Sequence, residues 1–230
     1  MKQLRGVILD VDGTLVDSNE AHVAAWVAAF HQAGYPMAPD TIRPLIGMGS
    51  DTLLPAAAGI EKSRPEGQQL SKLHSKIFES EYLPHVEAFP CTHELLQHMR
   101  ERGLRLVLAS AAKGHIMDTL LEVAGAEHLI EDDPPPRQVH SSKPDPEIVQ
   151  AALDRLGYAR DEVLMIGDTP YDIEAAAKLD IPTIAVRCGG YQDADLAGAV
   201  AIYDDPADLL AHYDDSPLGG HAPADSSPPP

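Results

Sequence analysis

The sequence lacks the features that mark secreted, membrane-spanning and disulfide-stabilised proteins. Its two cysteines, Cys91 and Cys188, lie far apart and outside any CxxC pair, which favours free thiols in a reducing compartment. The longest apolar stretch, residues 23–30, is far too short to cross a bilayer, and the first apolar run ends at Asp10, too early for a secretory signal. We therefore expect a cytoplasmic protein without a membrane span.

Positive charge is also scarce. Lys and Arg total 17 against 36 Asp and Glu, which gives a formal net charge of −19. This balance opposes attraction to the phosphate backbone of nucleic acids, so we expect no nucleic-acid partner. A small anionic substrate remains compatible with the sequence, because a divalent cation and one or two local positive groups can dominate the field inside a cleft.

Short aliphatic runs recur along the 230 residues, and each leads into a loop and then a helical pattern. Their continuous hydrophobicity is typical of strands that are covered on both faces. The sequence therefore predicts an α/β fold, a Rossmann-like parallel sheet with crossover helices. The runs are residues 7–10, 104–110, 162–168 and 182–186.

The interval between the first two strands is too long for one crossover helix, so we expect an inserted α-helical cap domain. Apolar side chains recur at helical spacing over residues 23–30 and 70–78, which predicts two of its helices. The end of the chain has few large apolar residues. The predicted division is an α/β core at 1–14 and 86–213, a helical cap at 15–85 and a disordered tail at 214–230.

Acidic side chains follow the predicted strands where catalytic groups of such sheets belong. Asp10 and Asp12 come directly after the first run, two residues apart, and project to the same side of the extended chain. Two such carboxylates repel each other unless a cation or a proton is shared. The other candidate groups on this rim are Ser110, Lys143, Asp168 and Asp172.

This set of carboxylates, one hydroxyl and one ammonium suits phosphoryl transfer with Mg²⁺, because oxygen-only ligands select a hard cation. Asp10 is the candidate nucleophile, which would form an aspartyl phosphate. Asp12 is the candidate acid and base, a role that demands a pKa near the working pH. Lys143 and Ser110 would hold the oxygens of the transferring phosphoryl group.

In order and spacing, the segment DVDGT, Ser110, Lys143 and the segment GDTPYD match the haloacid dehalogenase-like superfamily. The sequence resembles the branch of this superfamily that has a helical cap, from Leu4 to about Leu210. The resemblance implies a five-stranded parallel core whose strand order reverses beside the first strand.

The resemblance also implies roles for the acidic residues. Asp10 would be the phosphorylated nucleophile, and Asp12 the acid and base that also binds the metal ion through its backbone carbonyl. Asp168 would be a direct metal ligand, and Asp172 would act through water. The metal set is thus Asp10, Asp12, Asp168 and Asp172.

Substrate-binding candidates fall into two groups. The phosphate group is assigned to Ser110, Ala111 and Lys143. The remainder of the substrate is assigned to Gly47, Ser50 and His22, and Arg43 or Lys76 is a further candidate for contact with a substrate anion.

Three other activities share parts of this pattern, and the presence of Asp12 argues against one of them, dehalogenation. A β-phosphoglucomutase-like activity is compatible with Asp17, Ser18, His22 and Trp26, but the cap offers Ser50 where those mutases place an arginine, and a hydroxyl cannot replace a bidentate cation. They also tend to have Glu where this chain has Gly167. Dehalogenases lack a carboxylate at the position of Asp12, so this residue favours phosphate chemistry over dehalogenation.

The third alternative is a phosphoacceptor signalling module, which would be phosphorylated once rather than turn over. Receiver modules place the acidic pair before the acceptor, unlike this chain. Calcium and zinc sites are disfavoured, because the ligand spacings of an EF-hand and of a two-histidine helix are absent. We therefore expect a Mg²⁺-dependent phosphatase acting on phosphoglycolate or another small phosphorylated acid or sugar, as a monomer or homodimer.

Overall fold

The computed structural model of the chain describes residues 3–131 and 140–219. Within these residues five strands form one sheet, and none of the helices is both long and apolar enough to span a membrane. The strands are β1 (Gly6–Leu9), β2 (Arg105–Leu108), β3 (Val163–Gly167), β4 (Thr183–Val186) and β5 (Ala201–Tyr203). The α-helices are α1 (Asn19–Gln32), α2 (Pro39–Ile42), α3 (Ser50–Ala58), α4 (Pro65–Ile77), α5 (Thr92–Glu101), α6 (His115–Val123), α7 (Glu147–Leu156), α8 (Pro170–Ala177) and α9 (Pro206–Ala211).

The sheet is parallel throughout, and its strand order is β2-β1-β3-β4-β5. The order reverses beside β1, which has β2 on one side and β3 on the other. The predicted α/β fold is therefore confirmed. The aliphatic runs located four of the strands, whereas β5 is a half-buried edge strand of three residues that no such run marks.

Two apolar clusters cover the two faces of the sheet, because successive side chains of a strand point to opposite faces. Val7 and Leu9 of β1 join one cluster, and Ile8, which lies between them, joins the other. All three side chains are fully buried. This burial on both faces explains why the strands read as continuous apolar runs rather than as alternating ones.

We refer to the helices between Asn19 and His85 as the cap. A third apolar cluster lies entirely within the cap, and it includes Trp26, Phe30, Leu54 and Leu70. The cap thus has a small core of its own, and the division of the chain into core, cap and tail stays a prediction. Leu15 and Val16, placed in the cap by that division, pack with the sheet.

The predicted tail begins too early at residue 214. A short 3₁₀ helix covers Tyr213–Asp215, and Leu218 is only 1% exposed because it packs into the cluster on one face of the sheet. Ser216 fixes the turn between them, since its hydroxyl donates to the Tyr213 carbonyl and accepts from the Leu218 N–H. The remainder of the predicted tail, from 220 to 230, lies outside the described residues.

Candidate active site

The carboxyl ends of three neighbouring strands bring the candidate residues to one edge of the sheet. Asp10 follows β1 directly and Asp168 follows β3 directly. The Asp10 N–H donates to the Ile166 carbonyl at 2.9 Å, and the Ala109 N–H donates to the Leu9 carbonyl at 2.8 Å. These bonds continue the ladder beyond the strands, so the backbone that carries Asp10 is held on both sides.

Three buried carboxylates meet at this edge. Asp10, Asp168 and Asp172 each offer an oxygen within 4.8 Å of the others, and at most 3% of each residue is exposed. Lys143 bridges two of them, because its Nζ lies 2.5 Å from Asp10 Oδ1 and 2.7 Å from Asp172 Oδ1. The cluster therefore carries three acidic groups against one ammonium.

This imbalance appears in the pKa values. Burial raises the pKa of Asp10 well above its ordinary value; attraction by Lys143 opposes this rise, and repulsion by Asp172 and Asp168 adds to it. Burial lowers the pKa of Lys143, but attraction by Asp10 and Asp172, and the hydrogen bonds that Lys143 donates to them, more than offset this and raise the pKa. Lys143 is therefore charged, and the raised pKa of Asp10 reflects the cost of ionising three buried carboxyl groups beside a single ammonium.

Asp168 is held by two side chains from the segment that follows β1. Thr14 Oγ1 donates to one carboxylate oxygen at 3.0 Å, and Asn19 Nδ2 donates to the other at 2.9 Å. Asn19 Nδ2 also lies 2.9 Å from the Gly189 carbonyl, and a side chain at position 189 would collide with the Asp168 carboxylate. Burial and repulsion by Asp172 nevertheless raise the pKa of Asp168 to about 7.

Asp172 has a structural role as well as a place in the cluster. Thr169 caps α8 by accepting the Asp172 N–H, while Asp172 Oδ2 accepts the N–H and the hydroxyl of Thr169 at 3.0 and 2.6 Å. Such a reciprocal capping box fixes a helix start. Lys143 occupies the other oxygen, so both Asp172 oxygens already accept hydrogen bonds within the protein.

The cluster fits a divalent cation. Its donors are buried oxygens only, the set that Mg²⁺ prefers. One ammonium leaves two of the three negative charges uncompensated, and burying unpaired charge is costly. A divalent cation beside Asp10 and Asp168 would remove this cost, and it would keep both carboxylates ionised near neutral pH.

Asp12 lies apart from the cluster and contacts the cap. Its Oδ1 accepts the Ser18 hydroxyl at 2.6 Å and lies 3.0 Å from His22 Nε2. Burial raises the pKa of Asp12, but attraction by His22 and hydrogen bonds from His22 and Ser18 outweigh it and lower the pKa. The lowered pKa of Asp12 in the substrate-free protein therefore differs from the expected pKa near the working pH.

His22 belongs to a column of stacked rings. It stacks on Phe78 with a centroid distance of 3.9 Å, and its Nδ1 lies 3.4 Å from His74 Nε2. His74 in turn stacks on Trp26 at 4.0 Å. Burial lowers the pKa of His74 well below its ordinary value, and repulsion by His22 adds to this effect. His74 is thus a neutral part of the cavity wall.

A cavity of about 170 Å³ lies between the cap and the sheet edge. Its walls include Asp10, Asp12 and Lys143, together with the predicted substrate-binding residues Gly47, Ser50, His22, Ser110 and Ala111. A larger cavity of about 1190 Å³ also touches Ser110 and Ala111, but none of the three clustered aspartates lines it. Of the two cavities, the smaller one therefore reaches the acidic cluster, through Asp10.

Arg43 and Lys76, the two basic residues considered for contact with a substrate anion, do not line this cavity. Arg43 pairs with Glu20 at 2.7 Å and with Asp40 at 2.6 Å on the exposed side of the cap. Lys76 is exposed and, among the described residues, does not line the cavity. The expectation that either residue meets a substrate anion is therefore wrong for this state, because Arg43 is neutralised locally and Lys76 faces solvent.

Several supporting residues were not singled out from the sequence. Thr14, Asn19 and Thr169 hold metal-ligand candidates, and Asp51 and Ser142 join the cap to the loop of Lys143. Thr14 and Thr169 lie within the segments DVDGT and GDTPYD, so their hydroxyl groups could have been predicted to support the neighbouring aspartates. No local pattern pairs Asp51 with Ser142, since 91 positions separate them.

The family model described as haloacid dehalogenase-like hydrolase matches residues 7–186. The chain belongs to this family. The match covers more than half of the sequence and includes Asp10, Asp12, Ser110, Lys143 and Asp168. The predicted resemblance is confirmed, and the alternative of a signalling module is not supported.

Three comparisons illustrate the range of relatives. The chain is 29% identical over 215 residues to a phosphoglycolate phosphatase from Rhodospirillum rubrum, covering 89% of each chain. A hydrolase from Pseudomonas syringae has a similar structure with a TM-score of 0.83 and 31% identity, covering 92% of this chain and 98% of the other. A β-phosphoglucomutase from Clostridium difficile has a TM-score of 0.78, 19% identity and coverage of 93% and 96%, which shows a shared fold alone. The predicted enzyme class, a phosphatase of this family, is confirmed, whereas the substrate is not identified.

Proposed function

We propose that the protein is a Mg²⁺-dependent phosphomonoesterase that hydrolyses a small phosphomonoester through an aspartyl phosphate on Asp10. The observation that carries the proposal is the bridge that Lys143 makes between Asp10 and Asp172 in a buried cluster with Asp168. Mg²⁺, bound by Asp10, the Asp12 carbonyl and Asp168, would screen the carboxylates from the phosphate and stabilise its charge.

In the first half of the reaction, the Asp10 carboxylate attacks phosphorus and the ester oxygen leaves with a proton from Asp12. Lys143 already lies beside Asp10, where its charge can stabilise the oxygens of the transferring group. Ser110 Oγ accepts the Ala112 N–H at 3.1 Å, so its own proton can be donated to the phosphoryl group. The negative substrate would raise the pKa of Asp12, which lets it carry the proton that this half requires.

In the second half, Asp12 accepts a proton from a water molecule that attacks the aspartyl phosphate. Inorganic phosphate leaves, and Asp10 is regenerated. A lowered pKa suits this half, because Asp12 must be ionised to accept the proton. His22 supports that state through its 3.0 Å contact with the Asp12 carboxylate.

The second candidate is a sugar phosphate mutase, and two observations disfavour it. Ser50 accepts the Ser71 hydroxyl at 3.1 Å, and among the described residues no arginine lines the cavity to hold a second phosphate group. A Cβ at Gly167 would lie 2.5 Å from Asp172 Cγ, so the position beside Asp168 has no room for a glutamate. Both observations support hydrolysis.

The small cavity favours a small leaving group. Its volume of about 170 Å³ is below the several hundred Å³ typical of sites for larger ligands. The Rhodospirillum rubrum relative, which is named for phosphoglycolate, supports that ester as a candidate substrate. Phosphoglycolate and small sugar phosphates are therefore the first compounds to test.

The experiment is a phosphate-release screen across phosphoglycolate, sugar phosphates, nucleotides and p-nitrophenyl phosphate, with and without Mg²⁺. We expect multiple turnovers on at least one small ester, and no turnover by Asp10→Asn. Asp12→Asn should slow both halves of the reaction. Near-normal activity of Asp10→Asn would rule out the proposed nucleophile, and conversion of glucose 1-phosphate to glucose 6-phosphate without phosphate release would favour the mutase.

A further inference from the structure

The loop before Lys143 is held by two carboxylates from different parts of the chain. The N–H groups of His140 and Ser141 donate to Glu147 Oε2 at 2.9 and 2.7 Å. Glu147 begins α7, directly after this loop. The next N–H, that of Ser142, donates instead to Asp51 Oδ2 in the cap at 3.0 Å.

The Ser142 side chain makes further bonds to the cap. Its hydroxyl donates to Asp51 Oδ1 at 2.6 Å and accepts the Gly49 N–H at 3.0 Å. Thr52 Oγ1 lies 3.5 Å from the same hydroxyl. Ser142 is only 7% exposed, and a side chain at position 49 would collide with it. The cap loop therefore meets the Lys143 loop in close, directional contact.

We propose that Asp51 is a positioning residue, which acts through Ser142 to place Lys143 when the cap lies against the sheet. This inference rests on the role proposed above for Lys143. With the cap docked, Asp51 satisfies both the N–H and the hydroxyl of the residue immediately before the lysine. When the cap moves away, those two groups lose a charged acceptor, and of the two carboxylates only Glu147 still holds the lysine loop.

The physical reason is the strength and direction of these bonds. Hydrogen bonds to a charged acceptor are stronger than those between neutral groups. Two hydrogen bonds donated to one carboxylate also fix the orientation of the residue that donates them. Lys143 must keep its ammonium beside Asp10 in a buried cluster, where a small displacement has a large electrostatic effect. Asp51 thus makes catalytic geometry depend on cap position.

The test combines amide hydrogen exchange with kinetics. In ¹⁵N-labelled protein with Mg²⁺ and inorganic phosphate, Asp51→Ala should accelerate exchange of the Ser142 amide about 10-fold or more and leave the His140 and Ser141 amides unchanged. With p-nitrophenyl phosphate, kcat should fall by at least about 10-fold, the size expected if even one of the two hydrogen bonds to a charged group is lost, while KM changes little.

Two variants serve as comparisons. Glu61→Ala is the matched control, because it removes an exposed cap carboxylate that lines neither cavity, and its kcat should stay within about two-fold of wild type. Asp51→Asn retains one acceptor oxygen, so it should fall between wild type and Asp51→Ala even where the alanine variant folds poorly.

The outcomes separate the two proposals. A normal kcat in Asp51→Ala, a loss confined to KM, or a Ser142 amide that is unprotected in the wild type would overturn the positioning role. A wild type that releases phosphate from no phosphomonoester would refute the proposed function instead, and the exchange measurement would still test the contact between Asp51 and Ser142.

Discussion

Removing divalent cations from the protein should make its stability fall as the pH rises, and Asp168 allows the size of this effect to be worked out. Burial and repulsion by Asp172 raise its pKa to about 7, although hydrogen bonds from Asn19 and Thr14 and attraction by Lys143 oppose the rise. The folded, cation-free protein therefore binds this proton more tightly than the unfolded chain does.

The magnitude follows from the difference between the two pKa values. The ordinary value of the aspartate is 3.8, so the shift is roughly three units, or about 4 kcal/mol. This stabilising contribution is complete below pH 3.8 and is lost as the pH rises through 7. Asp168 is fully buried, so solvent screening does not reduce the figure. At roughly 2–4 °C per kcal/mol for a protein of this size, Tm should fall by about 8–16 °C on this account.

The assay compares wild type with Asp168→Asn in a chelator, by thermal unfolding between pH 5 and 8.5. Asparagine mimics the protonated form of Asp168 at every pH. The Tm of the variant minus the Tm of wild type should therefore increase by up to about 10 °C as the pH rises from 5 to 8.5. Mg²⁺ should narrow the difference by stabilising only the wild type. Asp195→Asn, the same change at an exposed position, should show no such trend. A Tm difference that is independent of pH without metal would refute the electrostatic reasoning.

Three further variants test other parts of the structure. His22→Gln removes an attraction that lowers the pKa of Asp12, so the acid limb of the pH profile for hydrolysis of the aspartyl phosphate, the half that needs ionised Asp12, should move to higher pH; an unmoved limb would contradict this role. Gly189→Ala forces a methyl group against the Asp168 carboxylate and should weaken Mg²⁺ binding at least about 10-fold in calorimetric titration, whereas unchanged affinity would argue against Asp168 as a ligand. Leu218→Ala should lower the free energy of unfolding in urea by about 2–5 kcal/mol, and a change below about 0.5 kcal/mol would place this residue outside the core.

The sheet and the acidic cluster could be predicted because both leave local signals. Strands buried on two faces must be apolar throughout, and β1 and β3 end directly at Asp10 and Asp168. The carboxyl ends of parallel strands share one edge of the sheet, so the strand pattern places both aspartates at that edge. That β3 lies beside β1 was expected from the resemblance and not from the order of the strands in the sequence. The edge strand β5 was not located in this way, because partial burial requires no continuous apolar run.

The contacts between cap and sheet could not be predicted, because they depend on how two separately packed units meet. The carboxylate of Asp51 reaches Ser142 across 91 positions, and Arg43 is neutralised by Glu20 and Asp40 rather than free for a substrate. The lowered pKa of Asp12 likewise results from a histidine on the cap. Position in the sequence carries no information on these distances.

The tail boundary shows a related limit. Low apolar content after residue 213 suggested a disordered segment, but a single leucine, Leu218, is enough to pack the chain against the sheet as far as Gly219. Average composition does not reveal one well-placed apolar side chain. Burial of Tyr213 and the two hydrogen bonds of Ser216 act together with Leu218 to hold this short turn.

The most direct test of the account is to locate the phosphoryl group during turnover. The protein would be mixed with a ³²P-labelled substrate identified in the screen and Mg²⁺, quenched in acid within the first turnover and mapped by peptide mass spectrometry. The account predicts an acid-stable acyl phosphate on the peptide that contains Asp10, and no label in Asp10→Asn. Label on another residue, or steady phosphate release with no labelled protein at any quench time, would contradict it.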